Sequence, residues 1–330
     1  MNISRRVFCG VALLAAANPL GFRALANPPA PKIRVGVLKF GTVNWELDTI
    51  KHNRFDAANG VDVEVAYFAG EDATNVAILA GDLDIIVSDW LWVSRQRFMG
   101  EDLTFAPYST AVGAIMVKAD APIRGIPDLV GRKIGVAGGS LDKSWLLIQG
   151  LAQRDYKMDL AREADVVFGA PPLLSEKALS GELDAVLNFW HFCARLEAKG
   201  FRRLIGADDA AKALGASGPV SALGYVFHDK WANENPDVPM SFVKASAAAK
   251  RLLADSDAEW QRLAPIVRAE GRELEVLRDR YREGIPNRPV AEEESDAAKL
   301  YEILADLGGE KLVGEAPQMA PGTFWAALKT

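Results

Sequence analysis

The chain is poor in the residues that staple or metallate a fold. It has two cysteines in 330 residues, Cys9 and Cys193, and three histidines, His52, His191 and His228, scattered without the paired spacing of a metal site. Cys9 lies in the leader described below, so no intramolecular disulfide is available to the mature protein, and its stability must rest on an apolar core. A lone cysteine in an apolar setting such as Cys193 acts as a small buried hydrophobe. No metal and no cofactor is expected. Long apolar runs are missing as well: the stretch from Val7 to Ala17 falls short of the roughly 18 to 20 residues a membrane-spanning helix needs, and no later segment approaches that length. Nor is there a basic field, because 38 lysines and arginines face 44 acids, a formal net charge of −6. Where arginines gather, in Arg278-Asp279-Arg280-Tyr281-Arg282-Glu283, acids alternate with them as on a solvated helix face. Nucleic acid is therefore excluded as a partner. The glycine-lysine-hydroxyl ending of a phosphate-binding loop and the dinucleotide glycine fingerprint are both absent.

What is present begins with an export leader. Arg5 and Arg6 precede the apolar stretch, and Ala24-Leu25-Ala26 forms a small-residue cleavage pattern before Asn27. Residues 1–26 are read as a signal peptide and the mature protein as periplasmic. Ser4-Arg5-Arg6-Val7-Phe8 resembles the twin-arginine signal, with a Sec signal as the alternative. Cleavage removes Arg5, Arg6 and Arg23 and leaves 304 residues with 35 bases against 44 acids, enough chain for two lobes with cores of their own.

The most telling pattern is internal. Gly81-Asp82-Leu83-Asp84-Ile85-Ile86-Val87-Ser88-Asp89-Trp90 returns one hundred positions later as Gly181-Glu182-Leu183-Asp184-Ala185-Val186-Leu187-Asn188-Phe189-Trp190. Each copy reads as helix end, turn, buried strand and open strand end. Continuous apolar strands bounded by turns suit a parallel sheet covered on both faces, and ligands gather outside the carboxyl ends of such strands. Two copies predict an α/β protein of two lobes with facing strand ends. Asp84 and Asp184 precede their strands and are read as turn or cap residues.

Strands are predicted at Lys32–Lys39, Val61–Phe68 and Asp84–Val87, followed by an extended segment Thr104–Lys118. The turn-rich Ala119-Asp120-Ala121-Pro122 marks the first crossing between lobes. Lys133–Ala137, Asp165–Phe168 and Asp184–Leu187 are the strands of the second lobe, with a helix at Pro171–Ser180. Gly224–His228, after Gly218-Pro219, is the return. The first lobe is thus 27–118 plus 223–330 and the second 119–222. Beyond the return, helical stripes such as Phe242, Ala245, Ser246, Ala249 and Leu253, then Leu274, Leu277 and Tyr281, then Leu300, Tyr301 and Leu304, are packing faces of a helical tail.

A leader, two duplicated β-α lobes, two crossings and a helical tail together resemble the periplasmic substrate-binding proteins of ABC importers, in the nitrate, taurine and aliphatic-sulfonate branch that also contains binders of thiamine-pyrimidine precursors. The resemblance runs from about Lys32 to Trp325. It is carried by Ala178-Leu179-Ser180-Gly181-Glu182-Leu183-Asp184-Ala185 and, with one extra turn residue, by Ala80-Gly81-Asp82-Leu83-Asp84. It implies the two-lobed, type II-like periplasmic-binding-protein fold, capture of a small-molecule ligand between the lobes, delivery to an importer's membrane permease, and a monomer.

If the sheets face one another, ligand contacts come from strand ends and helix starts. The candidates are Thr42, Asn44 and Trp45 after the first strand, Glu71 after the second, and Ser88, Asp89 and Trp90 after the third. In the second lobe they are Gly139, Ser140 and Ser144 after its first strand, then Asn188, Trp190 and His191. Gly138-Gly139-Ser140 opening a helix is an anion-binding arrangement, since unpaired N–H groups and the helix dipole face outward; Ser140 as a simple N-cap is the alternative. Trp90 and Trp190, at equivalent places in the repeat, are read as cleft residues, Trp92 and Trp145 as core. Asp89, an acid just past a buried strand, calls for a positive partner: a ligand amine, or internally Lys39 or Arg95. The glycine-serine loop suggests an anionic end and Asp89 a cationic or apolar remainder. Three functions follow: capture of a small organic anion or zwitterion for import; catalysis by an enzyme of the same fold, acting on a pyrimidine or aromatic acid; and a sensor or accessory role beside an exported enzyme. No nucleophile–base pair at recognisable spacing supports the second.

Overall fold

A computed structural model describes residues 29–329; the leader and its twin-arginine motif lie outside them. Two five-stranded sheets organise the chain. The first contains β1 (Lys32–Leu38), β2 (Asp62–Phe68), β3 (Ile85–Ser88), β4 (Leu103–Ser109) and β10 (Leu223–His228), in the order β2-β1-β3-β10-β4. The second contains β5 (Ala114–Lys118), β6 (Lys133–Ala137), β7 (Asp165–Gly169), β8 (Ala185–Asn188) and β9 (Phe201–Gly206), in the order β7-β6-β8-β5-β9. β1 runs parallel to β2 and β3, and β10 is antiparallel to β3 and β4. The second sheet repeats this, with β6 parallel to β7 and β8, and β5 antiparallel to β8 and β9. The reversed strand of each sheet is the one the chain lays down on arriving from the other lobe.

That exchange moves the first crossing. β5 pairs with β8 and β9 in the second sheet, so the chain changes lobe at residues 110–113 rather than at the turn-rich segment 119–122. β4 and β5 are both apolar and only four residues separate them, which is why the pair reads as one extended segment. β9, absent from the sequence reading, closes the second sheet as an edge strand against β5. Arg202 and Arg203 interrupt its apolar pattern, in keeping with the charged residues that edge strands carry.

The two repeat copies are built alike in detail. The helices Glu71–Leu79 and Pro171–Ser180 are followed by Gly81 and Gly181, both with left-handed φ (77° and 82°), where a side chain would be strained. Leu83 and Leu183 then pack over a glycine of the neighbouring strand: a Cβ on Gly36 would come 2.3 Å from Leu83 Cδ1, and one on Gly135 2.6 Å from Leu183 Cδ1. Asp84 accepts from the Arg34 N–H at 2.7 Å and Asp184 from the Lys133 N–H at 2.9 Å, so both acids tie the strand starts together at the end of the sheet away from the cleft, as expected. Ile85, Ile86, Ala185 and Val186 are buried, the signature of strands covered on both faces.

The tail spans both lobes rather than extending the first alone. The helix Asp237–Asp255 packs on Val43–His52 of the first lobe. Gly271–Glu283 packs on Trp190–Ala198 and Val290–Gly308 on Lys143–Leu151, both in the second. The predicted stripes are the faces that do this, with Phe242, Leu253, Leu277, Leu300 and Tyr301 among the buried residues. The tail also holds the crossings. Thr110 N–H donates to Gly284 O at 2.9 Å, Ser217 N–H to Asp296 Oδ2 at 2.9 Å, and Ser221 N–H to Glu293 Oε2 at 2.9 Å. Burial opposes ionisation of Asp296, but hydrogen bonds from Ser217, Lys299 and Arg288 overcome it and hold the carboxyl well below the usual range.

Candidate functional site

The helix Val43–His52 follows β1 and carries the first group of candidates. Asn44 Nδ2 donates to Leu38 O at 2.9 Å and Lys39 O at 3.2 Å, which fixes the strand-end loop. Its Oδ1 is then a fully enclosed acceptor with no hydrogen-bond partner. Thr42 occupies the N-cap position but makes no capping bond through its side chain. Trp45 is buried, and its ring meets Trp190 of the second lobe edge-on at a centroid distance of 5.8 Å, with Trp260 and Tyr281 of the tail completing the cluster.

Beneath Trp45 lies a polar network the sequence reading missed. Glu46 is fully buried and accepts from Tyr225 Oη at 2.6 Å, Ser246 Oγ at 2.5 Å, Lys250 Nζ at 2.6 Å and Tyr281 Oη at 3.1 Å. Burial pulls the Lys250 ammonium below its ordinary pKa while Glu46 opposes the shift. Burial, then the Glu46 charge, pushes Tyr108, Tyr225 and Tyr281 well above theirs, so these phenols stay protonated, and Tyr225 and Tyr281 donate to Glu46. The only sequence signal was an acid set among Trp45, Leu47 and Ile50 on an apolar helical stretch.

Asp89 stands at the N-cap of the helix Trp90–Phe98, where Oδ1 accepts from the Trp92 N–H at 2.9 Å. Its other oxygen accepts from Lys143 Nζ at 2.8 Å. The positive partner is thus neither Lys39 nor Arg95 but a lysine of the opposite lobe, and the pair bridges the strand ends of the two sheets. Asp89 is largely enclosed while Lys143 keeps 42% of its side chain exposed. Glu71 begins the helix Glu71–Leu79 nearby. The residue is exposed as a whole, but desolvation first, then the Asp89 charge, raises the pKa of its carboxyl. Lys143 is shifted up despite desolvation because Asp89, Asp142 and Glu71 all favour its charged form.

The glycine-serine loop behaves differently from expectation. The helix it opens is Lys143–Leu151, and its N-cap is Asp142 rather than Ser140; Asp142 Oδ1 accepts from the Trp145 N–H at 3.0 Å. Gly138 has φ +83°, and a Cβ there would sit 2.6 Å from Asp142 Oδ2, so the loop folds the carboxylate back over its own glycine. Gly139 and Ser140 lie at the surface of that turn, and Ser144 is in the first helical turn, close to Gly113 of the first crossing. The helix dipole is already met by the chain's own anion.

In the second repeat copy, Asn188 is buried and fully committed. Nδ2 donates to Pro171 O and Ser175 Oγ, each at 3.0 Å, and Oδ1 accepts from the Phe189 N–H at 2.9 Å. It ties the strand end to the neighbouring helix, with both of its amide N–H donors and its oxygen engaged inside the second lobe. Ser88, its counterpart, is buried at the end of β3. Trp90 lies in the core at 5% exposure and presents no open face, whereas its counterpart Trp190 is half-buried and touches Trp45 across the lobes. Trp145 is core, and Trp92 packs against it, as expected. His191 lies tilted against Phe192 with ring centroids 4.5 Å apart, and burial, assisted by Arg195, lowers its pKa to about 4, leaving a neutral ring at neutral pH. Cys193 is buried, its thiol donating to Asn188 O at 3.1 Å and pushed up to about 11 by burial.

The structure therefore brings Asp89, Glu71 and the 142–144 turn into one electrostatically coupled group between the sheets, and separately Trp45 with Trp190. Two hollows adjoin these groups. One of about 90 Å³ lies between the crossings and the tail, with Trp190, Ala111 and Pro219 in its wall. The other, of about 640 Å³, runs along Ser140, Leu141, Phe168 and the tail residue Leu307. Neither includes Asp89 or Lys143. Among the described residues no cluster of three or more histidine, cysteine or carboxylate side chains is disposed to hold a metal, and no helix is long and apolar enough to cross a membrane.

The family model described as NMT1/THI5 like matches residues 52–258. No curated protein matches in sequence. Among solved structures, the periplasmic aliphatic sulphonate binding protein SsuA from Escherichia coli superposes with a TM-score of 0.70 at 17% identity, over 90% of this chain and 92% of that one. The alkanesulfonate-binding protein SsuA from Xanthomonas axonopodis pv. citri, bound to MOPS, does so with 0.65 at 16%, over 91% and 99%. The ligand-binding component of an ABC-type import system from Staphylococcus aureus, with zinc bound, gives 0.61 at 14%, over 91% and 98%. At these identities the likeness shows the fold, the two-lobed architecture of periplasmic binding proteins.

Proposed function

Since the chain belongs to the NMT1/THI5-like family, we propose that it is an exported solute-binding protein that captures one small organic molecule between its lobes and hands it to the membrane permease of an ABC importer. The observation that carries this reading is the face-to-face arrangement of two similarly wired sheets whose strand ends already reach each other through Asp89 and Lys143. In such a fold, contacts to both lobes stabilise the closed arrangement relative to the open one, and ligand binding and hinge closure are the same event. Asp89, Glu71, Asn44, Ser144 and the 138–140 turn are the residues proposed to meet the ligand. Trp45 and Trp190 close the cleft on its other side. The protein works as a monomer in the periplasm after removal of residues 1–26.

Catalysis has weaker support from the site. The Cys193 thiol is buried and held protonated, and His191 is enclosed among aromatic rings rather than paired with a nucleophile. Isothermal calorimetry and thermal shift against sulfonates, carboxylates, amines and pyrimidines test capture directly. One class is expected to bind at micromolar affinity or better, with no turnover of the bound compound. Silence across the whole panel defeats the reading.

A further inference from the structure

The proposed cleft has a charge, and the charge selects its guest. Glu71, Asp89 and Asp142 interact with the ammonium of Lys143, and Asp72 and Asp89 interact directly with Glu71. Desolvation first, then the Asp89 charge, raises the pKa of Glu71 even though Lys143 opposes the shift. An anionic guest would need free N–H donors at the helix starts. On the helix Trp90–Phe98 the Asp89 carboxylate already accepts from Trp92 N–H, and on Lys143–Leu151 the Asp142 carboxylate accepts from Trp145 N–H. The third helix start carries Glu71 and Asp72 in its first turn. These three starts thus carry an anion of their own where an anionic ligand would sit, whereas the starts of Val43–His52 and Trp190–Ala198 carry no side-chain cap.

Two independent features point to a donor-bearing guest instead. An ammonium, that of Lys143, is already seated on Asp89 from across the gap at 2.8 Å. Asn44 Oδ1, enclosed and fixed as an acceptor by the two bonds its Nδ2 donates, has nothing to accept from. Apolar surface is also available at the strand ends, where Phe40 after β1 and Phe189 after β8 are exposed. We infer, resting on the solute-capture reading above, that the cleft takes an organic cation, an ammonium or amidinium group on an apolar body, and that Lys143 is an internal stand-in which this cation displaces from Asp89. The displaced lysine keeps contact with water, to which its side chain is already partly open.

The stand-in makes an unusual prediction: removing a polar side chain of the site strengthens binding. The mature protein and its Lys143→Gln and Asp89→Asn variants are titrated by calorimetry with phenethylamine, benzamidine, benzenesulfonate and phenylacetate. Asp89→Asn keeps the capping oxygen, and thermal unfolding confirms that all three proteins are folded. The two cations are expected to bind wild type, to bind Lys143→Gln about tenfold more tightly, and to bind Asp89→Asn at least about tenfold more weakly. If the cations fail to bind, or bind wild type and Lys143→Gln equally, the assignment is overturned. Binding of benzenesulfonate or phenylacetate that weakens in Lys143→Gln overturns it too, while leaving solute capture intact. Capture itself falls only if the wider solute panel is silent as well.

Discussion

The two lobes share one wiring diagram and differ in what they place inside it. Position by position, Trp45-Glu46-Leu47 in the helix after β1 corresponds to Trp145-Leu146-Leu147 in the helix after β6, and Ser88-Asp89-Trp90-Leu91 corresponds to Asn188-Phe189-Trp190-His191. The residues that make the frame, Gly36 with Leu83 and Gly135 with Leu183, or Asp84 and Asp184, keep their chemistry. Among those facing the partner lobe or the tail, Trp45 and Trp190 keep a tryptophan counterpart, but Glu46 and Asp89 do not keep their chemistry. Where the second lobe buries Leu146, the first buries the Glu46–Lys250 pair; where the first has Asp89, the second has an exposed phenylalanine. A duplicated unit thus retains the contacts its own sheet requires and changes those that each copy makes with its neighbours.

Exchanging residues between copies tests this difference. The largest effect is expected for Glu46→Leu, which copies the second lobe into the first. It strands the Lys250 ammonium and three hydroxyl donors, and is expected to destabilise the protein by about 3 to 5 kcal/mol in urea unfolding. Adding Lys250→Met is expected to restore most of that loss, because two desolvated charges then leave together. Asn188→Ala is next, at about 2 to 3 kcal/mol, since it leaves the Phe189 N–H, Pro171 O and Ser175 Oγ without their buried partner. Ser88→Ala at the equivalent place is expected to stay under about 1 kcal/mol. Equal losses at the two sites would show that the copies are tethered alike.

His191→Leu, again a copy of the first lobe, tests pH dependence. The folded pKa of His191 is lowered to about 4, below the unfolded value of about 6.5. Its neutral form is the folded form, so its contribution is complete above pH 6.5 and is lost as the unfolded chain takes up the proton between about 6.5 and 4. His191→Leu is expected to be about 2 to 3 kcal/mol more stable than wild type at pH 4.5, relative to their difference at pH 8. The smallest effect is expected for Asp89→Asn without ligand. It loses an ion pair whose lysine is well exposed, worth about 0.5 kcal/mol, and keeps the helix cap. A loss above about 2 kcal/mol would make the Asp89–Lys143 bridge a structural strut rather than a site.

Much of the frame was legible because it follows from local pattern. The helix Pro171–Ser180 and the strand Lys133–Ala137 occur at the residues predicted, and the repeat placed β3 and β8 within one residue. β9 was missed because two arginines break its apolar run, and the first crossing was set too late because β4 and β5 differ in sheet but not in composition. The candidate site was legible by address more than by role. Strand-end reasoning pointed to Asp89, Glu71 and Trp190, which lie where the two lobes approach each other, and also to Asn188, which is hydrogen-bonded within the second lobe, and Trp90, which is core. Glu46 escaped notice because its partners Tyr225, Ser246, Lys250 and Tyr281 come from positions far along the chain.

By itself, the amino-acid order determined that there are two copies of a β-α unit, that their strands are buried on both faces, and that the tail is helical, since periodicity, glycine placement and capping acids act within a few residues. Tertiary structure alone decided that β5 and β10 change lobes, that the tail grips both crossings, that Asp142 rather than Ser140 caps the loop helix, and that Asp89 is answered by Lys143 from the opposite side. Charge and hydrogen-bond partners are settled by distance in space, and chain order carries no measure of that distance until the sheets have packed.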